Sequence, residues 1–173
     1  MRSTRRARLQ RGDVESVEFS ATDKAARYRE LIPQVASLVE GEPDLVANLA
    51  NITAAIRDCL PVASWVGFYV MRGGELVLGP FQGKVACVRI ALGRGVCGTA
   101  AAEKRTVIVS DVEKFPGHIA CDAGSRSEIV VPIVVAGKLV AVLDVDSYEL
   151  AAFDDEDGAG LGRIAELVAT LAW

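Results

Sequence analysis

Histidine is almost missing from this chain: one in 173 residues, His118. Cysteine is scarce too, four in all, and no two stand in the C-x₂-C spacing of a zinc knuckle. No apolar run comes near the ~20 residues a membrane span needs. The N-terminal MRSTRRARLQRGD has five arginines but no apolar segment behind them, which does not fit a secretory signal. The expected compartment is therefore the reducing cytoplasm, where cysteines serve chemistry more often than permanent staples. Net positive charge is confined to that N-terminus. The net charge is −4, residues 1–11 carry +5, and the remainder carries −9. An acidic body argues against nucleic acid as a partner. Repeats and low-complexity linkers are also absent. Residues 1–20 read as a basic arm, disordered by composition, and residues 21–173 as one domain with globular apolar (51%) and charged (24%) content.

Within that domain Thr22 can cap a helix over about 23–39, with Pro33 expected to kink or split it. Pro43 suits the first turn of a second helix, about 43–59, whose Leu45, Leu49, Ile52 and Ile56 share one face. Two β-like runs in WVGFYVMRGGELVLG meet at Gly73-Gly74, a hairpin signal. CVRIAL reads as a third strand, GTAAAEK as a short helix, TVIVS as a fourth strand, and residues 110–125 as a loop. EIVVPIVVAGKLVAVLDVDS is a long hairpin about Ala136-Gly137, with Pro132 implying an edge or a bulge. A last helix follows, acidic in its first turn. The order predicts an α+β fold, an antiparallel sheet flanked by helices.

Gly93, Gly95 and Gly98 spell G-x-G-x-x-G after a strand. A dinucleotide loop needs a parallel crossover of a dozen residues or more, and only a short helix separates these glycines from the next strand. A tight turn with positive φ or close backbone approach explains them better. Cys87, Cys97, Cys121 and His118 could make a tetrahedral zinc set, but their spacing is not a usual one, so no metal is expected. A redox site fits better. A thiol nucleophile needs a second thiol to resolve its oxidised form, and Cys87, Cys97 and Cys121 lie within 35 residues on glycine-flanked segments. Cys59, late in an apolar helix, reads as a buried small hydrophobe.

Strand alternation puts Val140, Val142, Asp144 and Asp146 on one face. Two carboxylates ending so apolar a strand are costly to bury without a partner. Glu128, opening the partner strand, can join them. Crowded carboxyls raise one another's pKa, so one can stay protonated near neutrality and act as a general acid. Beside Glu128, Ser125 reads as ordinary loop polarity and Ser127 as a candidate for the substrate wall. Trp65 and Tyr69 stand on one face of the first strand.

These stretches, SWVGFYV, LVLGPFQGKVACVRI, GRGVCGTAA, FPGHIACDAGSRSEIVVPI and AVLDVDS, resemble the free methionine-(R)-sulfoxide reductases, single-domain enzymes of the GAF fold. The resemblance covers about residues 24–170. It implies a six-stranded antiparallel sheet, a closed pocket under the cysteine-bearing loops, a homodimer, and recycling by thioredoxin with no bound cofactor. It implies Cys121 as nucleophile, Cys97 and Cys87 as resolving thiols, Glu128, Asp144 and Asp146 as substrate-binding carboxylates, and Trp65 and Tyr69 as an apolar wall. Nearby acids should disfavour a thiolate at Cys121. His118, Arg126 or backbone N–H groups of residues 116–121 are the candidates to offset them. The competing reading is a non-catalytic GAF domain that binds a small molecule or senses redox state. Such a sensor normally carries an output domain, for which this chain leaves no room.

Overall fold

The computed structural model describes residues 16–119 and 122–173. Its strands form a single antiparallel sheet in the order β3-β2-β1-β6-β5-β4. The strands are β1 (Ala63–Arg72), β2 (Glu75–Gln82), β3 (Arg89–Ala91), β4 (Val107–Val109), β5 (Ser127–Val135) and β6 (Lys138–Ser147). The helices are α1 (Lys24–Leu38), α2 (Leu45–Cys59), α3 (Gly95–Glu103) and α4 (Asp155–Val168). Antiparallel pairing throughout leaves no crossover for a dinucleotide loop. Among the described residues, no helix is long and apolar enough to cross a membrane.

Both expected hairpins form. Arg72 pairs with Glu75 across Gly73 (φ 61°) and Gly74 (φ 90°), and Val135 with Lys138 across Ala136 (φ 50°) and Gly137 (φ 78°). Positive φ at both central residues gives the turn the twist of its strands. Pro132 lies past the last residue that β4 reaches, close to a register shift between Ile133 and Val134. Several ends differ from the sequence expectation. Asp23, not Thr22, caps α1, accepting from Ala26 N at 2.8 Å. Pro33 sits within α1 without splitting it. Pro43 precedes the cap of α2, where Asp44 accepts from Ala47 N at 2.8 Å. Helix α3 begins at Gly95, which puts Cys97 in a helical turn instead of a loop.

The two faces of the sheet are packed separately. Side chains of α1, α2 and α4 join Val66, Phe68, Ile129, Val131, Leu143 and Val145 in one apolar cluster. The opposite face carries α3 and the second cluster, which includes Trp65, Tyr69, Ile90, Cys97, Val130 and Val142. Cys59 is in the first cluster, fully buried, and burial lifts its thiol to about 11. On that helix side Tyr28 donates to Asp157 Oδ1 at 2.8 Å, and Lys24 Nζ reaches Asp157 Oδ2 at 2.6 Å. Residues at the end of the expected arm lie against α1. Val17 and Phe19 pack on the core, and Ser20 donates to Glu30 Oε1 at 2.6 Å.

Candidate functional site

The β1–β6–β5 register builds the floor of a pocket. Trp65 pairs with Asp146, and Asp146 with Glu128; one step along, Gly67 pairs with Asp144 and Asp144 with Val130. Alternation therefore turns both aspartates, Glu128 and the aromatic residues to the same side. Gly67 carries no side chain, and the Trp65 ring takes the room. Trp65 stacks on Tyr69 at 5.9 Å and on Phe81 at 5.3 Å between centroids, and its Nε1 donates to Lys84 O at 3.0 Å.

The roof is α3 and the 83–88, 118–119 and 122–125 segments. Gly93 and Gly95 hold φ of 76° and 61°, and Gly93 N donates to Gly98 O at 2.7 Å. A Cβ on Gly98 would fall 2.4 Å from Ala91 O, so the turn admits only glycine there. This turn drops the start of α3 onto the pocket, where Arg94, Gly95, Val96 and Cys97 line it. The pocket leaves about 40 Å³ for the centres of water-sized spheres.

Trp65, Tyr69, Cys97, Glu128, Asp144 and Asp146 all line this pocket. Ser127 does not. Alternation sends it to the opposite face, where its hydroxyl donates to Glu149 O at 2.6 Å and accepts Ala152 N at 3.3 Å. Ser125, read from sequence as ordinary loop polarity, lines the pocket instead, as do Asp122, His118, Ile119 and Arg94. Arg94 and Ile119 had no pattern in the sequence to mark them, because their side of the pocket is made by loops and not by an alternating strand. Cys87 is partly buried on the loop between β2 and β3 and is disulfide-bonded, whereas Cys59 and Cys97 are free thiols. Cys121 lies outside the described residues.

Electrostatics follow from burial. Glu128 and Asp144 are each 6% exposed. Loss of solvent raises Asp144 to about 7, against the opposing contacts of Cys97 and Glu128. Burial first, then the Asp144 charge, lifts Glu128 and Asp146 well above the usual carboxyl range. Asp144 Oδ1 is buried without a hydrogen-bond partner. Cys97 Sγ donates to Glu128 Oε1 at 3.8 Å. Burial and the charges of Asp144 and Glu128 push this thiol far up, so it stays protonated at neutral pH. His118 is lowered by burial, which removes it as a standing positive charge. Arg126 is exposed and outside the pocket lining. Among the described residues that line the pocket, Arg94 is the standing cationic side chain.

Among the described residues, Cys97, Glu128 and Asp144 are the group whose ligand atoms lie within 4.8 Å of one another. A metal ion there would have to displace protons that burial holds on. The same acids suit a ligand that brings a cationic group and an oxygen in need of a proton.

The GAF domain family matches residues 42–171. The free methionine-R-sulfoxide reductase of Escherichia coli is 48% identical over 151 residues, covering 87% of this chain and 92% of that protein. The enzyme of that name from Saccharomyces cerevisiae is 42% identical, covering 90% and 91%. The X-ray structure of the free methionine-R-sulfoxide reductase from Neisseria meningitidis in complex with its substrate superposes with a TM-score of 0.88 at 51% identity, covering 90% of this chain and 94% of that one.

Proposed function

This chain belongs to the free methionine-(R)-sulfoxide reductases built on a GAF domain, and we infer that it reduces free L-methionine-(R)-sulfoxide to methionine. The observation that carries the reading to this molecule is the acid triplet against the Trp65–Tyr69 wall, Glu128 and Asp144 buried and Asp146 half-buried. A free amino acid brings an ammonium group that these acids can pair with. The thioether carbons pack on the aromatic rings.

Sulfoxide sulfur is a poor electrophile until its oxygen is protonated. Asp144, poised near neutrality, suits the acid. Cys121 is the proposed nucleophile. Its sulfur bonds to the protonated substrate sulfur. The oxygen then passes from that sulfur to Cys121 as the substrate S–O bond and the transient S–S bond break, and methionine departs as the thioether, leaving Cys121 as a sulfenic acid. A second thiol then condenses with the sulfenic acid, forming an S–S bond and releasing water. The disulfide-bonded state of Cys87 and the protonated, free state of Cys97 support Cys87 as that resolving thiol. An external dithiol reduces the disulfide. Thioredoxin in that role, a homodimeric assembly and a cytoplasmic setting are proposed on the family resemblance.

The test offers the separated epimers and an N-acetylated, C-amidated sulfoxide at equal concentration, with thioredoxin, its reductase and NADPH. The free R epimer should be reduced. The capped compound should be slower by a factor on the order of hundreds, since it leaves the charge that would pair with the ammonium buried and unpaired, at about 3–5 kcal/mol. The S epimer should be nearly inert, because with its methyl on the Trp65–Tyr69 wall its oxygen points away from the acid. Equal rates for the capped compound would remove the ammonium-reading pocket. Binding without release of methionine would identify a sensor.

A further inference from the structure

The pocket roof is fastened at Asp122 by two side chains that do not themselves line the pocket. Tyr148, the residue after β6, donates its phenol to Asp122 Oδ2 at 2.7 Å. Asp122 Oδ1 accepts Gly124 N at 3.0 Å, which fixes the carboxylate in its turn. Lys84 Nζ stands 3.4 Å from the same Oδ2 and 5.0 Å from the centre of the Tyr148 ring. The Lys84 backbone is itself held, because its carbonyl accepts Trp65 Nε1 at 3.0 Å. Gly124 lies so near Tyr148 that a Cβ there would come within 2.9 Å of the ring. One carboxylate thus joins the 122–125 turn, the end of β6 and the 83–88 loop.

Those two segments carry the proposed redox pair. Cys87 is three residues beyond Lys84, and Cys121 immediately precedes Asp122 in the chain. A sulfenic acid and a thiol condense only when their sulfurs reach bonding distance, about 2 Å in the product. Both segments have glycines at or beside them, Gly83 at φ 141° and Gly124 among them, and neither belongs to a helix or strand. Their approach therefore needs an external tie. We propose that Tyr148 and Lys84 are positioning residues for the resolving step, holding the Asp122 turn against the Cys87 loop so that the disulfide closes promptly after methionine leaves. The proposal rests on Cys121 as nucleophile and Cys87 as resolving thiol. Neither positioning residue lines the substrate pocket, so their loss should change the first reduction far less than the resolving step.

The experiment uses the reduced full chain without external reductant, mixed with one equivalent of free methionine-(R)-sulfoxide. Wild type, Tyr148→Phe, Lys84→Met and Lys84→Arg are compared. Three quantities are followed by rapid quenching: methionine released, sulfenic acid captured by dimedone, and the Cys87 disulfide by peptide mapping. Methionine release should stay within about twofold throughout. Disulfide closure should slow about tenfold in Tyr148→Phe and Lys84→Met, the size expected for one hydrogen bond to a charged acceptor, and dimedone capture should rise to match. Lys84→Arg should restore most of the rate, since arginine keeps both the charge pair and the ring contact. Closure at the wild-type rate in Tyr148→Phe and Lys84→Met would overturn the proposal. So would a parallel fall in methionine release and thermal stability, which would make the tie merely structural. If wild type itself shows neither a Cys121 adduct nor a Cys87 disulfide, the assignment of nucleophile and resolving thiol fails, and the proposal with it.

Discussion

The indole of Trp65 lies across Gly67, so close that a Cβ on the glycine would come within 2.2 Å of the ring. Gly67 is also the partner of Asp144 in the sheet register. The glycine is thus the space that lets an aromatic wall and a buried acid share one floor. Gly67→Ala should push the indole off Phe81 and out of line with Tyr69. We expect kcat/KM for the free R-sulfoxide to fall by at least about tenfold, with the loss mainly in KM. Steady-state kinetics decide it, and an unchanged KM would show that Trp65 does not hold the substrate.

Cys97 should behave as a poor nucleophile. Its thiol is 4% exposed and held protonated by burial beside Glu128 and Asp144. In the reduced protein at neutral pH, iodoacetamide should label it last of the pocket-side cysteines. Cys97→Ser should keep the first stoichiometric release of methionine, whereas Cys121→Ser should abolish it. Mass spectrometry of alkylated peptides and a single-turnover assay test the pair. Fast labelling of Cys97, with loss of the first turnover in its serine variant, would reverse the roles.

The acid cluster predicts an unusual pH dependence of stability. Folding raises Asp144 from 3.8 to about 7, and Glu128 and Asp146 move the same way. The folded state therefore binds more protons than the unfolded one. Its stabilising contribution is complete below about pH 4 and is lost as pH rises through about 7. Asp144→Asn should leave Tm nearly unchanged at pH 4 and raise it by several degrees at pH 8. The same titration should reduce wild-type kcat/KM above pH 7, as the acid ionises. Calorimetry at the two pH values settles the first point. A lower Tm for Asp144→Asn at pH 8 would contradict it.

On the helix side, Tyr28→Phe removes the donor to Asp157 Oδ1 and leaves a buried carboxylate oxygen without it. The cost should be about 1–3 kcal/mol, a drop of several degrees in Tm for a chain of this length. Because Tyr28 is in the cluster remote from the pocket, kcat/KM per folded molecule should hold. A change in kcat/KM without a change in Tm would show that the two faces communicate.

Most of the strand-borne half of the site was legible in the sequence, and most of the loop-borne half was not. Asp144 and Asp146 betray their common face by alternation alone, as Trp65 and Tyr69 do, and the hairpin turns at Gly73-Gly74 and Ala136-Gly137 fix which strands meet. Helix α3 was harder. It is buried nearly all round and starts at a glycine with no side-chain cap, so it shows neither an apolar stripe nor a start signal ahead of Cys97. Ser127 faces away from the pocket for a simpler reason. The strand begins at Ser127, and alternation counted from Glu128 turns Ser127 away. The tie among Lys84, Asp122 and Tyr148 joins separate loops, and no local pattern encodes such a meeting.

The separate packing of the two sheet faces has a consequence for evolution and for engineering. Along β6, Leu143 and Val145 belong to the helix-side cluster while Asp144 and Asp146 face the pocket; along β5, Ile129 and Glu128 divide in the same way. Neighbours in the gene therefore answer to different selections. A saturation library scored for soluble expression and then for growth on methionine sulfoxide should yield two sensitivity maps that alternate, each peaking where the other is quiet. Lineages can then drift toward other sulfoxides by changing every second codon of these strands while the codons between them keep the scaffold.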